Sequence, residues 1–245
     1  MITNITRSLL LLLCALPALA QESLPASGSV IRFTCPLPPN IPEYSQLVNY
    51  YREAFTHMGY EFEMIHRPTR RSLAETMSGA SHGDCARIVE ALKPTELTLV
   101  TPIEVTIGHS RMAIWSLSKK NLTVDQLSQP EHSVCYVEGS YSSRHWVEKI
   151  KTRYPNHHPK FTQVPDYATA LRMLLHKRIT HCLGVEMLYN AVIQKSDLGS
   201  KIFHNGNLGD LDAKPILSNR YRALLPDFTK SLQEVIDKHG VINPQ

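Results

Sequence analysis

Apolar and polar residues follow a period that changes in a fixed order along this chain, and the order occurs twice. The run Val30-Ile31-Arg32-Phe33-Thr34-Cys35 predicts a strand, and Pro36-Leu37-Pro38-Pro39-Asn40-Ile41-Pro42 a stiff loop after it. Leu47, Tyr50, Tyr51, Ala54, Phe55 and Met58 recur three and four residues apart, which predicts a helix stopped at Gly59. Residues 60–65 alternate as a strand, residues 71–78 read as a second helix ended by Gly79, and residues 83–89 as a third strand. The second half repeats this. A strand Ser133–Val137 leads through Gly139-Ser140-Tyr141 to a helix over residues 142–154 and a strand Lys160–Val164. Asp166 is placed to cap the next helix, whose apolar face is Ala170, Leu171, Leu174 and Leu175, and residues 179–185 form the last strand of the set.

The order β-α-β-α-β predicts a parallel sheet with right-handed crossovers in each half, with strand order 2-1-3. Residues 111–117 are an apolar segment joining the halves, and the chain returns around residues 201–204. A strand over residues 221–225 and a helix capped by Asp227 follow, with Phe228, Leu232, Val235 and Ile236 on its buried face and Gly240 at its end. This tail is too short for a third domain and is expected to pack on the first lobe. The fold class is therefore α/β: two lobes, each a mainly parallel sheet flanked by helices, with a hinge between them on which the lobes close around a ligand. The expected divisions are a signal peptide over residues 1–20, the first part of lobe 1 over 21–112, lobe 2 over 113–204, and a return to lobe 1 over 205–245.

The leader reading rests on Arg7, the apolar stretch from Leu9 to Leu13 and the Ala18-Leu19-Ala20 cleavage pattern. The apolar segment is short for a membrane span, and Leu13 before Cys14 does not suit a lipoprotein signal. A periplasmic protein exported with its signal peptide removed near Ala20 is expected. Export permits disulfides. Cys35 and Cys85 fall on the first and third strands of one half, Cys135 and Cys182 on those of the other. Neighbouring strands lie about 4.8 Å apart, within reach of a bridge, so Cys35–Cys85 and Cys135–Cys182 are disulfide candidates, with buried free thiols as the alternative.

Composition excludes several classes. The chain is 245 residues, 42% hydrophobic and 20% charged, with net charge +4 and scattered basic residues. No nucleic-acid arm is present. Twelve histidines raise the question of a metal, but His145, His157 and His158 have no supporting carboxylate or cysteine pattern, so neither a metal nor a cofactor is expected. No Gly-x-Ser-x-Gly, His-Glu-x-x-His or phosphate-loop motif occurs.

Arg70-Arg71-Ser72-Leu73 with Gly79 and Gly83-Asp84, then Thr101-Pro102, Val137-Glu138-Gly139-Ser140-Tyr141, Ala170-Leu171-x-x-Leu174 and Cys182-Leu183-Gly184 occur in an order that resembles type II periplasmic solute-binding proteins, especially family 3 of the extracellular solute-binding proteins. The resemblance spans nearly the whole mature chain. It implies capture of a small polar solute between the lobes by a monomer, for an inner-membrane ABC permease or a sensor protein, rather than an enzyme. A few proteins of this kind are cleft dehydratases or lyases, which would need an acid or base such as Glu186.

Gly139-Ser140-Tyr141 follows a strand and opens a helix, so its free amides and the positive end of the helix dipole suit a carboxylate or phosphate. In the resembling family this turn holds a ligand carboxylate. Arg87, at the C-terminal end of a parallel strand, suits a second contact to that carboxylate. Its plainer reading is an ion pair with Glu90 or Glu104. Where amino-acid binders carry Thr-x-x-Arg after this strand, the chain reads Ala91-Leu92-Lys93-Pro94-Thr95-Glu96, a departure that puts α-amino-acid specificity in question. Glu186 stands where the family often has an acid meeting a ligand ammonium. The plainer reading is a helix-start carboxylate. Arg70 is the nearer of Arg70 and Arg71 to the cleft, and Tyr44 and Tyr141 are candidate aromatic walls.

Overall fold

A computed structural model describes residues 24–194 and 200–243. The expected leader lies outside the described residues. In chain order the elements are β1 (Val30–Cys35), α1 (Pro42–His57), β2 (Glu61–His66), α2 (Thr69–Ser78), β3 (Gly83–Ile88), α3 (Pro94–Leu97), β4 (Val100–Pro102), β5 (Gly108–Ser116), α4 (Val124–Leu127), β6 (Ser133–Val137), α5 (Tyr141–Arg153), β7 (Lys160–Val164), α6 (Tyr167–Leu175), β8 (His181–Val185), α7 (Glu186–Ile193), β9 (Phe203–Ser218) and α8 (Leu225–His239). Among the described residues no helix is long and apolar enough to cross a membrane.

The expected strand order 2-1-3 occurs in both halves. β1 lies between β2 and β3, and β6 between β7 and β8, with parallel pairing in each case. The two sets join into one continuous sheet through β5 and β9, which run antiparallel to each other and to their other neighbours, β8 and β3. Gly108 to Ser116 of β5 faces Ala213 to Phe203 of β9, and the far end of β9 turns to β3 and β4. The chain thus crosses between the halves on two paired strands. The expected breaks after residues 112 and 204 fall inside these strands.

Burial organises each half around its own core. Phe33, Tyr51, Phe55 and Phe228 are fully buried in the first. Phe55 of α1 and Phe228 of α8 stack with ring centroids 4.3 Å apart, and Ser231 of α8 donates to the Ala54 carbonyl oxygen at 2.8 Å. α1 begins at Pro42, earlier than the periodicity from Leu47 suggested, because proline suits the first helical position. In the second half the sheet is covered on one side by α6 and α7 residues and on the other by Val147 and Ile150 of α5. Asp166 caps α6 as expected, accepting from the Thr169 amide at 2.6 Å.

Two readings of the C-terminal region are corrected. The strand expected over residues 221–225 is part of a 3-10 turn spanning Asn219–Leu224. Asp227 lies in the first turn of α8 and is not its cap. Where the sequence predicts only a return near residues 201–204, the long strand β9 runs from Phe203 to Ser218. Its Asn, Gly and Asp residues are unfavourable in strands, and two register shifts against β5 accommodate them. A Cβ at Gly206 would collide with the Leu122 carbonyl oxygen, so glycine there permits a close backbone approach.

The cysteine pairs behave differently. Cys35 and Cys85 are bonded, with Sγ atoms 2.09 Å apart. Cys135 and Cys182 are directly opposite on β6 and β8, but they are buried free thiols. Cys182 Sγ contacts Cys135 Sγ at 2.9 Å and also reaches the Ala170 carbonyl oxygen at 3.5 Å. The second expected bridge is therefore a thiol contact. Cys135 is the central residue of a strand paired on both sides, whereas Cys35 ends its strand at the proline-rich loop.

His181 on β8 gives the second half an acid-sensitive group. Burial, with His132 and Lys120 nearby, holds its pKa down to about 4. The unfolded chain takes up this proton near the ordinary value of about 6.5. The stability tied to neutral His181 is thus complete above about pH 6.5 and is lost as pH falls toward 4. Urea midpoints followed across that range are expected to fall less steeply for His181→Gln than for the wild type; equal slopes would exclude His181 as the sensor.

Candidate functional site

At the meeting of the halves lies a cavity of about 120 Å³. It is lined from the first half by the loop after β1, the start of α1, the end of β3 and Leu92. The second half contributes the start of α5, Tyr167, and the β8–α7 junction, and the floor is residues 107–110 at the start of β5 with Ala213 of β9. The halves also touch around it. Tyr141 packs with Leu73, Leu92, Val100 and Ile216, and Met187 and Leu188 pack on the first core. A Cβ at Gly139 would lie 3.6 Å from the Arg70 backbone nitrogen and Cβ, an ordinary contact.

Of the residues singled out from sequence, Ser140, Tyr141 and Arg87 line this cavity. Val137, Glu138 and the left-handed Gly139, with φ of 77°, turn the chain from β6 into α5. Ser140 is the helix cap: its Oγ contacts Ser143 Oγ at 2.7 Å and accepts from the Ser143 amide at 3.4 Å. The amides of Tyr141 and Ser142 begin the helix and have no acceptor four residues back. Burial raises the Tyr141 phenol. The Tyr167 phenol is also raised by burial, an effect opposed by its hydrogen bond with Ser140.

Arg87 is 5% exposed and is held from behind. Its Nε donates to Asp84 Oδ2 at 2.8 Å, and its Nη2 donates to the same oxygen and to the Thr69 carbonyl oxygen, the latter at 3.1 Å. Asp84 is fully buried and also accepts from Ser72 Oγ at 2.5 Å. The partner is therefore Asp84, three residues back, and not Glu90 or Glu104. Glu104 pairs with Lys214 at 2.5 Å.

The remaining candidates lie outside the cavity lining. Glu186 accepts from Arg111 Nε at 2.6 Å and Nη2 at 3.1 Å, with His204 at 3.8 Å. Tyr44 donates to the Met64 carbonyl oxygen at 3.2 Å and packs on the first core. Arg70 is exposed, with its backbone against Gly139. Among the described residues no group of three or more His, Cys, Asp or Glu is gathered as a metal site.

Two lining residues had no sequence signal. Glu43, in the first turn of α1, reads as an acid favourable to the helix dipole, yet it is buried in the cavity wall. Ser110 reads as a polar interruption in an apolar strand, yet it belongs to the cavity lining and its buried hydroxyl has no partner among the described residues. Only the β1-to-α1 loop and the β5–β9 crossing, both long-range features, bring them together with Arg87 and Ser140.

No family model matches the sequence, and no curated protein matches it. Solved structures do match. A histidine kinase sensor domain with similarity to periplasmic binding proteins superposes with a TM-score of 0.70 at 13% identity, over 87% of this chain and 92% of that one. The amino acid ABC transporter substrate-binding protein AbpA from Streptococcus pneumoniae, bound to L-arginine, gives 0.64 at 11% identity over 87% and 91%. The ancestral amino acid-binding protein AncCDT-1, a precursor of cyclohexadienyl dehydratase, gives 0.64 at 11% over 86% and 90%. With β-α-β-α-β units in both halves, two crossing strands and a cavity between, the chain has the two-lobed fold of the type II periplasmic solute-binding proteins.

Proposed function

We propose that the protein is an exported, periplasmic solute-binding protein that encloses a small solute carrying a carboxylate, an amino acid or a related compound, between its lobes. The observation that carries this reading is the cavity shared by the start of α5 and Arg87. The amides of Tyr141 and Ser142, at the helix start without an intrahelical acceptor, and the helix dipole favour an anion at one end. Arg87, already oriented by Asp84, offers its remaining donors to the same group. The volume of about 120 Å³ is below the roughly 300 Å³ at which drug-sized sites begin, so the solute is small. Delivery to an inner-membrane ABC permease is the leading role, supported by the likeness to AbpA. Presentation of the closed form to a sensor is the second, supported by the likeness to the kinase sensor domain. Glu186, the acid or base named for a lyase, is engaged by Arg111 and is not part of the cavity lining, which favours binding over catalysis.

Thermal-shift measurement against amino acids, organic acids, polyamines and small peptides tests the reading. A ligand at a hundredfold its Kd adds about 2.7 kcal/mol, or roughly 5–10 °C in Tm for a chain of this size. Arg87→Gln is expected to weaken a carboxylate ligand by about tenfold to a hundredfold. An unchanged Kd would remove Arg87 from the site.

A further inference from the structure

The second lobe has a concavity of its own, at the end of its sheet away from the interlobe cavity. β6 and β8 run parallel, and the chain leaving their C-terminal ends lines the interlobe cavity with Ser140 and Val185. At their N-terminal ends, the segments that lead into β6 and β8 surround an open concavity of about 800 Å³. The two linings share no residue. Lys120, Lys177, His132 and His181 line the second one. Neither lysine has an ion-pair partner among the described residues. The His132 and His181 rings meet edge to face, with centroids 4.6 Å apart. His181 is 7% exposed, and its Nδ1 meets Thr180 Oγ1 at 2.8 Å, which leaves Nε2 without a protein partner among the described residues. Lys120 and His132 both oppose protonation of this imidazole, so the cations are gathered closely enough to act on one another. The acid in the lining is Glu131, which is exposed.

Lys177 is held at this site against its backbone preference. It is the one non-glycine residue with a positive φ among the described residues, at 54°. Its amide donates to the Leu174 carbonyl oxygen and the Arg178 amide to that of Met173, a turn that ends α6 and ordinarily uses glycine. A side chain in this conformation is strained, yet here it brings a cation to the concavity. We infer that the concavity is a second binding site, for a phosphate group attached to an organic body. Cations gathered with so little counter-charge suit a multiply charged oxyanion, to which ammonium and imidazole groups donate charged hydrogen bonds. Leu117, Leu122 and Ile179 supply the apolar part of the lining for the body. The volume falls within the roughly 300–1,000 Å³ of small-molecule sites. A soluble phosphate ester and a phospholipid headgroup share this chemistry.

The test is calorimetric titration of the full protein with inorganic phosphate and phenyl phosphate, together with flotation on phosphatidylcholine vesicles with and without phosphatidic acid. Phenyl phosphate is expected to bind more tightly than inorganic phosphate and to shift the His132 and His181 imidazole signals in NMR spectra. Lys120→Gln and Lys177→Gly should each weaken it about fivefold, the upper range for an exposed charge pair. Lys119→Gln, beside Lys120 but outside the lining, should leave it unchanged, and Glu131→Gln should tighten it. Lys177→Gly should not lower the melting point, because glycine relieves the positive φ. Binding only to vesicles with phosphatidic acid, lost in the same two lysine variants, would support the site and make a lipid headgroup the source of the phosphate. Equal losses in Lys119→Gln and Lys120→Gln would reduce the effect to diffuse surface charge and overturn the proposal. Binding that leaves both imidazole signals unmoved would place the phosphate elsewhere and overturn it too. So would binding of no probe, weaker binding by Glu131→Gln, or a fall of several degrees in the melting point of Lys177→Gly.

Discussion

Asp84→Ala is expected to destabilise the folded protein by about 3–5 kcal/mol, the usual cost of leaving one member of a buried ion pair alone. Asp84 is fully buried, and Arg87 is 5% exposed. The carboxylate accepts from Arg87, from Ser72 Oγ at 2.5 Å and from the Ala86 amide at 3.3 Å. Removing it strands a guanidinium and a hydroxyl together at the junction of β3 and α2. Substituting both members, Asp84→Ala with Arg87→Met, should recover more than half of the loss, since neither charge is then left unpaired. Urea denaturation of the two single variants and the double variant measures the coupling. A loss under about 1 kcal/mol for Asp84→Ala would show that water or a neighbouring group replaces the carboxylate. The pair also bears on the cavity, because Asp84 holds Arg87 where it forms part of the lining.

Removing the Cys35–Cys85 bridge should cost about 4 kcal/mol. The bridge closes a loop with a sequence separation of 50, and the chain-entropy estimate for a loop of that length gives this value. In a chain of this size, that corresponds to a fall in Tm of roughly 8–16 °C. Cys35→Ser with Cys85→Ser, and reduction of the wild type by dithiothreitol, should give the same shift. Alkylation of the unfolded, unreduced protein should label Cys135 and Cys182 but spare Cys35 and Cys85. Labelling of all four would refute the bridge. The bridge ties β1 to β3 beside the loop whose Pro36 and Leu37 line the cavity, so its loss should also weaken solute binding.

Much of the architecture was legible in the order of apolar periods. β1, β6 and β7 fall where local alternation and flanking turns predicted them, as does the Asp166 cap, because those features depend on neighbours in sequence. The repeat of strand and helix placed Cys35 near Cys85 and Cys135 near Cys182, since a strand order of 2-1-3 sets the first and third strands side by side. It also placed Ser140 and Arg87 at strand ends, where an α/β fold binds ligands.

What the sequence alone determined was therefore local: which segments are strands or helices, and which strand ends carry candidate chemistry. Only the tertiary structure decided the rest. β9 reads as a loop by composition and becomes a strand because β5 and β3 supply its hydrogen bonds from either side. Glu186 reads as a helix-start carboxylate or a ligand contact, and Arg111, distant in sequence, is the partner the fold brings against it. Glu43 reads as an ordinary first-turn acid, and only the tertiary structure puts it in the wall of the cavity. A charge's role depends on the counter-charges folded around it, and those come from segments far apart in the chain.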